Sequence, residues 1–483
     1  MRFALALSFF LMASGPCSGL ARRVLWIMAD DFRPELGCYG SLAKTPHLDE
    51  LAKRSLLFER AYCQQAVCNP SRSSLLTGRR PDHLRVWSNS LHFRQHNPDV
   101  ETIPGWLRKQ GYLTLNVGKI FHNWHTAVKG DPGSWSQPEF LHYANHGHDH
   151  ALGEGVAASR TMLNQGRRYG EMELCESRDV EDAAYYDGRV AAEAVRRIAE
   201  LPRDQPWFLA VGFWKPHAPF NAPQQYWDLY DRTCLSRYDP AAPKAVPAVA
   251  LHASTEILGP PKKQIKPSAE QALEMRHGYF ANISFFDAQV GKVIDALTRS
   301  GMLEETLIIF TADHGYHVGE HGLWGKTSNF ELDAHVPLLI AGPSISRPGR
   351  TDSLVELIDL FPTLVECCGL PAPAGLDGCS LVPILRNPEA RVKRFALTQH
   401  PRPAYFDRES GGVPEVMGYS LRLEDARCVL WQDFKTGEFR AGELYLTDTA
   451  DSEEMRNEFD NPVFKPIVER ARVTLSRVKL GAF

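Results

Sequence analysis

Four short apolar runs, each ending in a knot of charged or imidazole side chains, constrain this chain more than any other feature. Residues 24–28 run into Asp30-Asp31, and residues 112–117 lead to Lys119 and His122. Residues 207–213 end at Lys215-Pro216-His217, and residues 307–310 end at Asp313-His314-Gly315. None alternates apolar with polar positions, and such runs suit strands buried on both faces of a largely parallel sheet. Helical patterns lie between them. Thr45-Pro46 offers a cap and a first-turn proline ahead of Leu48 and Leu51; residues 285–297 carry an apolar face stopped near Gly301; residues 354–368 read as a helix stopped by Gly369 and Pro371. In sheets of this kind ligands bind outside the carboxyl ends of the strands. Polar loops alone would not repeat the same chemistry at four strand ends, so one composite site is expected.

The remaining organisation is simpler. Residues 240–267 are rich in proline and lack periodicity, which predicts a long surface excursion. Residues 386–402 mark a boundary, and the alternation over 419–431 and 444–446 predicts a small antiparallel sheet. The division is therefore an α/β domain over 22–385 and a C-terminal α+β subdomain over 386–483. At the N-terminus, Arg2, an apolar stretch over 3–12 and the small residues after it read as a signal peptide, 1–21, cleaved after Ala21. The product would be secreted or periplasmic, or lysosomal in an animal host. No other stretch approaches the ~18–20 apolar residues of a membrane span. The net charge of −4 argues against a general nucleic-acid binder but leaves room for a local basic pocket. Of the ten cysteines, Cys17 would leave with the leader, so an odd number remains and at least one is unpaired. A local bridge among Cys367, Cys368 and Cys379 is open. Asn282-Ile283-Ser284 is a glycosylation sequon, relevant only in a eukaryotic host.

Two clusters carry chemistry on their own terms. In Cys68-Asn69-Pro70-Ser71-Arg72, Pro70 and Ser71 suit the first turn of a helix closed by Gly78. Cys68 then sits at a positive helix end with Arg72 one turn away to hold an anion; a buried or disulfide-bonded cysteine fits the same residues. Asp30, Asp31 and Asp313 bring three carboxylates to neighbouring strand ends, where mutual repulsion calls for a hard cation. Oxygen donors favour Ca²⁺ or Mg²⁺ over zinc. His142, His146, His148 and His150 lack ligand spacing of any familiar type and read as a solvated loop.

Cys68-x-Pro-Ser-Arg72 continued by Leu76-Thr77-Gly78-Arg79 resembles the signature of the formylglycine-dependent sulfatases, members of the alkaline phosphatase-like superfamily. The likeness is nearest to their iduronate-2-sulfatase branch. It extends through Val117-Gly118-Lys119-Ile120-Phe121-His122, Val211-Gly212-Phe213-Trp214-Lys215-Pro216-His217, the stretch from Gly319 through Trp324 and Lys326 to Phe330, Gln399-His400-Pro401-Arg402-Pro403 and Gly442-Glu443-Leu444-Tyr445. The resemblance implies a large mixed, mostly parallel sheet flanked by helices, with a smaller C-terminal antiparallel sheet. It implies one Ca²⁺ on Asp30, Asp31, Asp313, His314 and residue 68, and oxidation of Cys68 to formylglycine by a sulfatase-maturing enzyme.

The implied reaction is attack on sulfur by one hydroxyl of the hydrated aldehyde, deprotonated with help from the cation and Asp313. Arg72, Lys119 and Lys326 would stabilise the sulfuryl oxygens, and His217 or Lys326 would protonate the leaving alcohol. His122 would take the proton of the second hydroxyl and so expel sulfate. The substrate implied is a sulfated saccharide, cleaved from its end, such as a 2-O-sulfated uronic acid. Asn89, His92, Arg94 and Trp324 are the expected contacts, and a small ester such as choline sulfate stays open. Two alternatives stand beside this reading: a phosphonate or phosphate monoester hydrolase of the same superfamily, and a secreted carbohydrate-binding protein with an inactive site.

Overall fold

The computed structural model describes residues 20–122, 126, 128–141, 174–235, 238–259, 264, 266–409, 412–447 and 453–480. Most of the expected leader and the four histidines from His142 to His150 lie outside these residues. Ala21, the last leader residue expected, is fully buried: its N–H donates to Cys367 O at 2.9 Å, and its carbonyl accepts the Tyr112 hydroxyl at 2.8 Å. The fold thus engages a residue that cleavage after Ala21 would remove.

Strands β1 (Arg23–Asp30), β2 (Ser55–Tyr62), β3 (Leu113–Gly118), β4 (Trp207–Pro216), β5 (Thr306–Ala312), β6 (His335–Ala341) and β7 (Gly349–Glu356) form one sheet. Their order is β7-β2-β6-β5-β1-β4-β3. Only β6 runs antiparallel to its neighbours. All ten residues of β4 and all seven of β5 are buried, as unalternated runs require. The helices α1 (Pro46–Lys53), α2 (Cys68–Thr77), α3 (Tyr186–Ala199), α4 (Ala269–Arg299) and α5 (Leu360–Cys367) cover the sheet. Among them α3 packs on α4 and β4, whereas α2 packs on α5. A capping box starts α4, with Ser268 Oγ accepting from Gln271 N–H and Gln271 Oε1 accepting from Ser268 N–H.

A second sheet lies beside the first. It runs β8 (Ala396–Arg402), β9 (Val416–Arg422), β10 (Ala426–Asp433) and β11 (Phe439–Leu446), antiparallel throughout. Helix α6 (Lys465–Lys479) buries Val468, Ala471 and Leu475 against Leu397, Leu421 and Leu444. The sheets are tied where Gln399 N–H donates to Gln64 O at 2.8 Å and the Thr398 hydroxyl donates to Cys63 O at 2.6 Å.

Four expectations change. The helix over 354–368 is shorter, because residues through Glu356 complete β7 and α5 begins only at Leu360, after a 3₁₀ turn. Glu356 anchors that strand end by accepting from both terminal nitrogens of Arg80, at 2.7 and 2.9 Å, and periodicity alone cannot separate strand from helix in such a run. The proline-rich excursion is not purely a surface feature, since Ala250, Ser254 and Ile257 are buried. Asn282 is fully buried within α4, so the sequon offers no acceptor in the folded chain. All nine described cysteines are free, so the local bridge considered for Cys367, Cys368 and Cys379 is not formed. Among the described residues no helix is long and apolar enough to cross a membrane.

Candidate active site

Strand register assembles the site. Ala29 of β1 pairs with Ala312 of β5, so Asp30 and Asp313 leave adjacent strands side by side. On the other flank, Gly118 of β3 pairs with Gly212 of β4, and Lys119 N–H donates to Gly212 O at 2.8 Å. A Cβ on Gly212 would collide with Lys119 O, and one on Gly118, at φ +83°, with Gly212 O. Only glycines let these backbones close up and turn Lys119 inward.

Helix α2 presents Cys68 in its first turn, 2% exposed, with Sγ 3.6 Å from Asp30 Oδ1. Gly78 ends the helix at φ +64°, where the Arg79 N–H closes back on Ser74 O. Asp31 also adopts positive φ, 59°, a left-handed conformation that aspartate, like asparagine, tolerates better than other residues with a Cβ. Its N–H donates to Asp313 Oδ1 at 3.1 Å, and its carbonyl accepts from the Tyr279 hydroxyl at 2.9 Å.

Cations hold the carboxylates. Lys119 Nζ binds Asp30 and lies 4.2 Å from the centre of the Trp214 ring. Lys326 Nζ donates to Asp31 Oδ1 at 2.8 Å and Oδ2 at 3.1 Å. Burial disfavours the Asp30 carboxylate, yet Lys119, Arg72, His217 and Lys326 together keep it well below the usual range. Burial pushes Asp31 well up, and the Asp30 charge adds to that against the pull of Lys326. Lys326 is desolvated too, but Asp31 and Glu256 raise it well above an ordinary lysine. The Cys68 thiol is pushed up to about 12 by burial and then by Asp30.

The donor set fits a hard cation. Asp30, Asp313, His314 and residue 68 can bring ligand atoms within 4.8 Å of one another. His314 Nδ1 lies 2.9 Å from Gly315 O and donates there, which leaves Nε2 as an acceptor. That buried Nε2 has no hydrogen-bond partner and faces Asp31 Oδ1 at 3.5 Å and Asp313 Oδ2 at 3.7 Å. A lone pair pointing at two carboxylates is resolved by a cation between them.

The other expected residues divide. His217 joins the cluster, with Nε2 3.7 Å from Asp31 Oδ2; its Nδ1 meets Ala218 O, and burial, aided by Lys326, keeps it neutral. His122 is buried four residues past the end of β3. Arg72, fully buried, faces inward: Nε donates to Asp313 Oδ2 at 2.8 Å, and Nη1 to the carbonyls of Lys119 and Ile120 at 2.6 and 3.0 Å. Asn89 caps α2 by accepting the Asn69 N–H at 3.0 Å. His92 binds Gly130 O, and Arg94 forms a fork with Asp131 at 2.6 and 2.7 Å, so both serve the loop packing. Trp324, 5% exposed, braces the preceding excursion by donating its N–H to Ser254 Oγ.

One residue was missed. Glu256 stands 3.1 Å from Lys326 Nζ and 3.4 Å from His217 Nε2, and accepts the Tyr405 hydroxyl at 2.9 Å. Its only signal was an acid in the proline-rich stretch, two residues after Ser254.

Comparison with known proteins agrees with this architecture. The sulfatase family model matches residues 22–370, and the model for the C-terminal region of N-sulphoglucosamine sulphohydrolase matches residues 319–480. Iduronate 2-sulfatase of Mus musculus is 34% identical over 93% of this chain and 94% of its own, and that of Homo sapiens 33% identical over 89% and 90%. A phosphonate monoester hydrolase of Agrobacterium radiobacter superposes with a TM-score of 0.76 over 95% of this chain and 96% of its own; at 23% identity it speaks for the fold alone. With the strand-end cluster, the family match and these relatives, this chain belongs to the sulfatase family and is a sulfuric ester hydrolase.

Proposed function

We propose that the enzyme removes sulfate from the end of a sulfated saccharide, such as a 2-O-sulfated uronic acid, with Cys68 matured to formylglycine. One Ca²⁺ would be held by Asp30, Asp31, Asp313, His314 and residue 68. The observation that carries the reading is Cys68 itself: its buried thiol, pushed up to about 12 beside Asp30, is the wrong environment for a thiolate nucleophile. Formylglycine supplies a hydrated aldehyde, whose paired hydroxyls allow attack and then release of sulfate, and Ca²⁺ supplies charge to the sulfuryl oxygens.

The chain's own residues then have distinct work. Arg72 fixes the Asp313 carboxylate, which receives the proton of the attacking hydroxyl. Lys119 faces the sulfuryl group from the β3 end. Lys326, kept protonated by Asp31 and Glu256, donates to the leaving oxygen. His217, neutral and with Nδ1 committed to Ala218 O, stands 3.4 Å from Glu256, the acid that also holds that ammonium. His122 takes the proton that releases sulfate. Burial of Asp31, Arg72, Lys119, His122, His217, Asp313 and Lys326 excludes water from the reacting atoms. Export through the leader and a sulfatase-maturing enzyme belong to the same reading.

Mass spectrometry of the tryptic peptide spanning residues 61–72, from protein made in its native host, tests it. The aldehyde form is expected; unmodified cysteine in active enzyme overturns the mechanism. Turnover of an aryl sulfate is expected to exceed that of the matching aryl phosphonate, and the reverse order would reassign the reaction.

A further inference from the structure

A small cavity of about 160 Å³ adjoins the site, lined by His252, Thr255, Thr327, Arg402 and Tyr405 among others. It shares a wall with the reacting groups. Thr327 follows Lys326, Thr255 precedes Glu256, and the Tyr405 hydroxyl donates to Glu256. Nothing in the reaction as described uses it.

Its lining is built to donate. Arg402 ends β8 and is 8% exposed, with its guanidinium 5.1 Å from the centre of the Trp431 ring. It spends its N–H groups on neutral acceptors: Nε on Val249 O, Nη1 on Thr327 O, Pro401 O and His400 Nδ1, and Nη2 on Ala250 O. Nη2 therefore keeps a second N–H, and among the described residues every hydrogen-bond partner of this buried cation is a carbonyl or an imidazole, none a carboxylate. Buried arginines are ordinarily paired with an anion. Thr327 Oγ1 is fully buried without a partner, on a residue held at φ +88°. His252 Nδ1 accepts the Ser254 N–H at 3.0 Å, so its ring proton resides on Nε2, which is also buried and unpartnered. An arginine N–H, a hydroxyl and an imidazole N–H thus line one cavity, and the acids around it are already engaged: Glu256 by Lys326 and Tyr405, Glu443 by Trp431 and Tyr445, and Asp333 by His317 and Ser328.

We propose that the cavity bounded by Arg402, Thr327 and His252 is a second anion subsite, which takes the carboxylate of the same sugar residue whose sulfate is cleaved. This rests on the sulfatase reading above and deepens it. The sulfate would be held by the strand-end cluster and the carboxylate by the β8 end, so an acidic sugar is anchored at two points while a neutral one is anchored at one.

The test compares two substrates of the mature, Ca²⁺-loaded enzyme. One is a disaccharide with a terminal 2-O-sulfated uronic acid; the other is the same molecule with its carboxyl reduced to a hydroxymethyl group. Wild-type kcat/KM is expected to favour the acid by about tenfold to a hundredfold, the range of a hydrogen bond to a charged group. Thr327→Val keeps the shape and removes the hydroxyl; His252→Asp keeps an acceptor for Ser254, removes the donor and sets a negative charge against the incoming carboxylate. Each is expected to shrink the ratio several-fold, whatever it does to absolute rates, and Arg402→Lys to shrink it further if it folds. A wild-type ratio near one, or variants that lower both rates and preserve the ratio, overturns the subsite. Cleavage of 4-nitrophenyl sulfate with neither disaccharide turned over refutes the subsite while the sulfatase reading stands. Failure on every sulfate ester refutes both.

Discussion

Arg72 lies within a signature read as anion-binding, yet its guanidinium is committed to the Asp313 carboxylate and to backbone carbonyls, and this makes a sharp prediction. Its nitrogens reach Asp313 Oδ2 at 2.8 Å, Lys119 O at 2.6 Å, Ile120 O at 3.0 Å and Ala29 O at 3.4 Å, at zero exposure. These acceptors come from the ends of β1, β3 and β5, so one side chain staples three strand ends. Arg72→Met strands the Asp313 charge, a loss of about 3–5 kcal/mol for a broken buried pair. The orphaned carbonyls add ~1–3 kcal/mol each if they cannot relax. Even the lower end, about 3 kcal/mol with the carbonyls relaxed, is a large share of the ~5–15 kcal/mol that holds a domain folded. At roughly 2 °C per kcal/mol for a chain of this size, the apparent Tm should fall by about 6 °C or more. Arg72→Lys, with a shorter reach and three donors, should lose somewhat less. Differential scanning calorimetry on Ca²⁺-saturated protein, paired with aryl sulfate kinetics, measures both consequences, and kcat should fall with Tm because Asp313 and Lys119 lose their placement. A variant with wild-type Tm and only a raised KM would show that Arg72 holds substrate, and the stapling argument would be wrong.

Other predictions are simpler. Glu256→Gln removes one of the two acids that keep Lys326 charged, so kcat should fall roughly tenfold and the basic limb of its pH profile should move to lower pH; an unshifted limb would exclude Lys326 as the acid. Protein stripped of divalent ions should bind one Ca²⁺ by calorimetry and gain about 2.7 kcal/mol of stability at a hundredfold excess over Kd. Asp31→Asn should abolish that gain, and a stripped protein as stable as the loaded one would argue against the site. Glu443, which accepts from Trp431 Nε1 and the Tyr445 hydroxyl, is raised to about 7, chiefly by burial. A folded carboxyl raised in this way contributes stability below its unfolded value that is lost as pH climbs towards 7. At ~1.4 kcal/mol per unit the loss is a few kcal/mol, and Glu443→Gln should flatten it in urea titrations from pH 4.5 to 7.5.

What was legible in the sequence was whatever a single strand end carries. Asp30-Asp31, Asp313-His314, Lys119 and the Lys215-Pro216-His217 run could each be placed because an unalternated apolar run announces a buried strand and its polar residues follow at once. Their convergence needed only the rule that parallel strands end on one side. Failures came where the partner is distant in sequence. Glu256 reaches Lys326 from a segment whose prolines spoke only of irregular backbone, and its role is set by a contact across 70 residues of chain. Arg94 and His92 were expected to touch substrate, but Asp131 and Gly130, far along the chain, engage their side chains. The strand ending at Glu356 was misjudged because its anchor, Arg80, sits on another element.

The charges of the finished site narrow what it can hold. Asp30, Asp31, Asp313 and Glu256 stand against Arg72, Lys119 and Lys326, with His217 neutral, so the protein alone carries an excess of one negative charge. Burial makes that excess costly, and Asp31, the carboxylate pushed furthest up, is where the cost falls. A divalent cation reverses the sign to a single positive charge. A sulfate monoester, singly charged, then closes the balance, whereas a doubly charged phosphate monoester would overshoot it inside a desolvated pocket. A phosphonate monoester is also singly charged, so formal charge favours sulfate over a phosphate dianion and leaves the phosphonate to be separated by its non-hydrolysable carbon substituent. In the sulfatase reading proposed above, that substituent would take the place of a third sulfuryl oxygen, and Lys119, bound to Asp30 and resting on Trp214, has little freedom to make room for it.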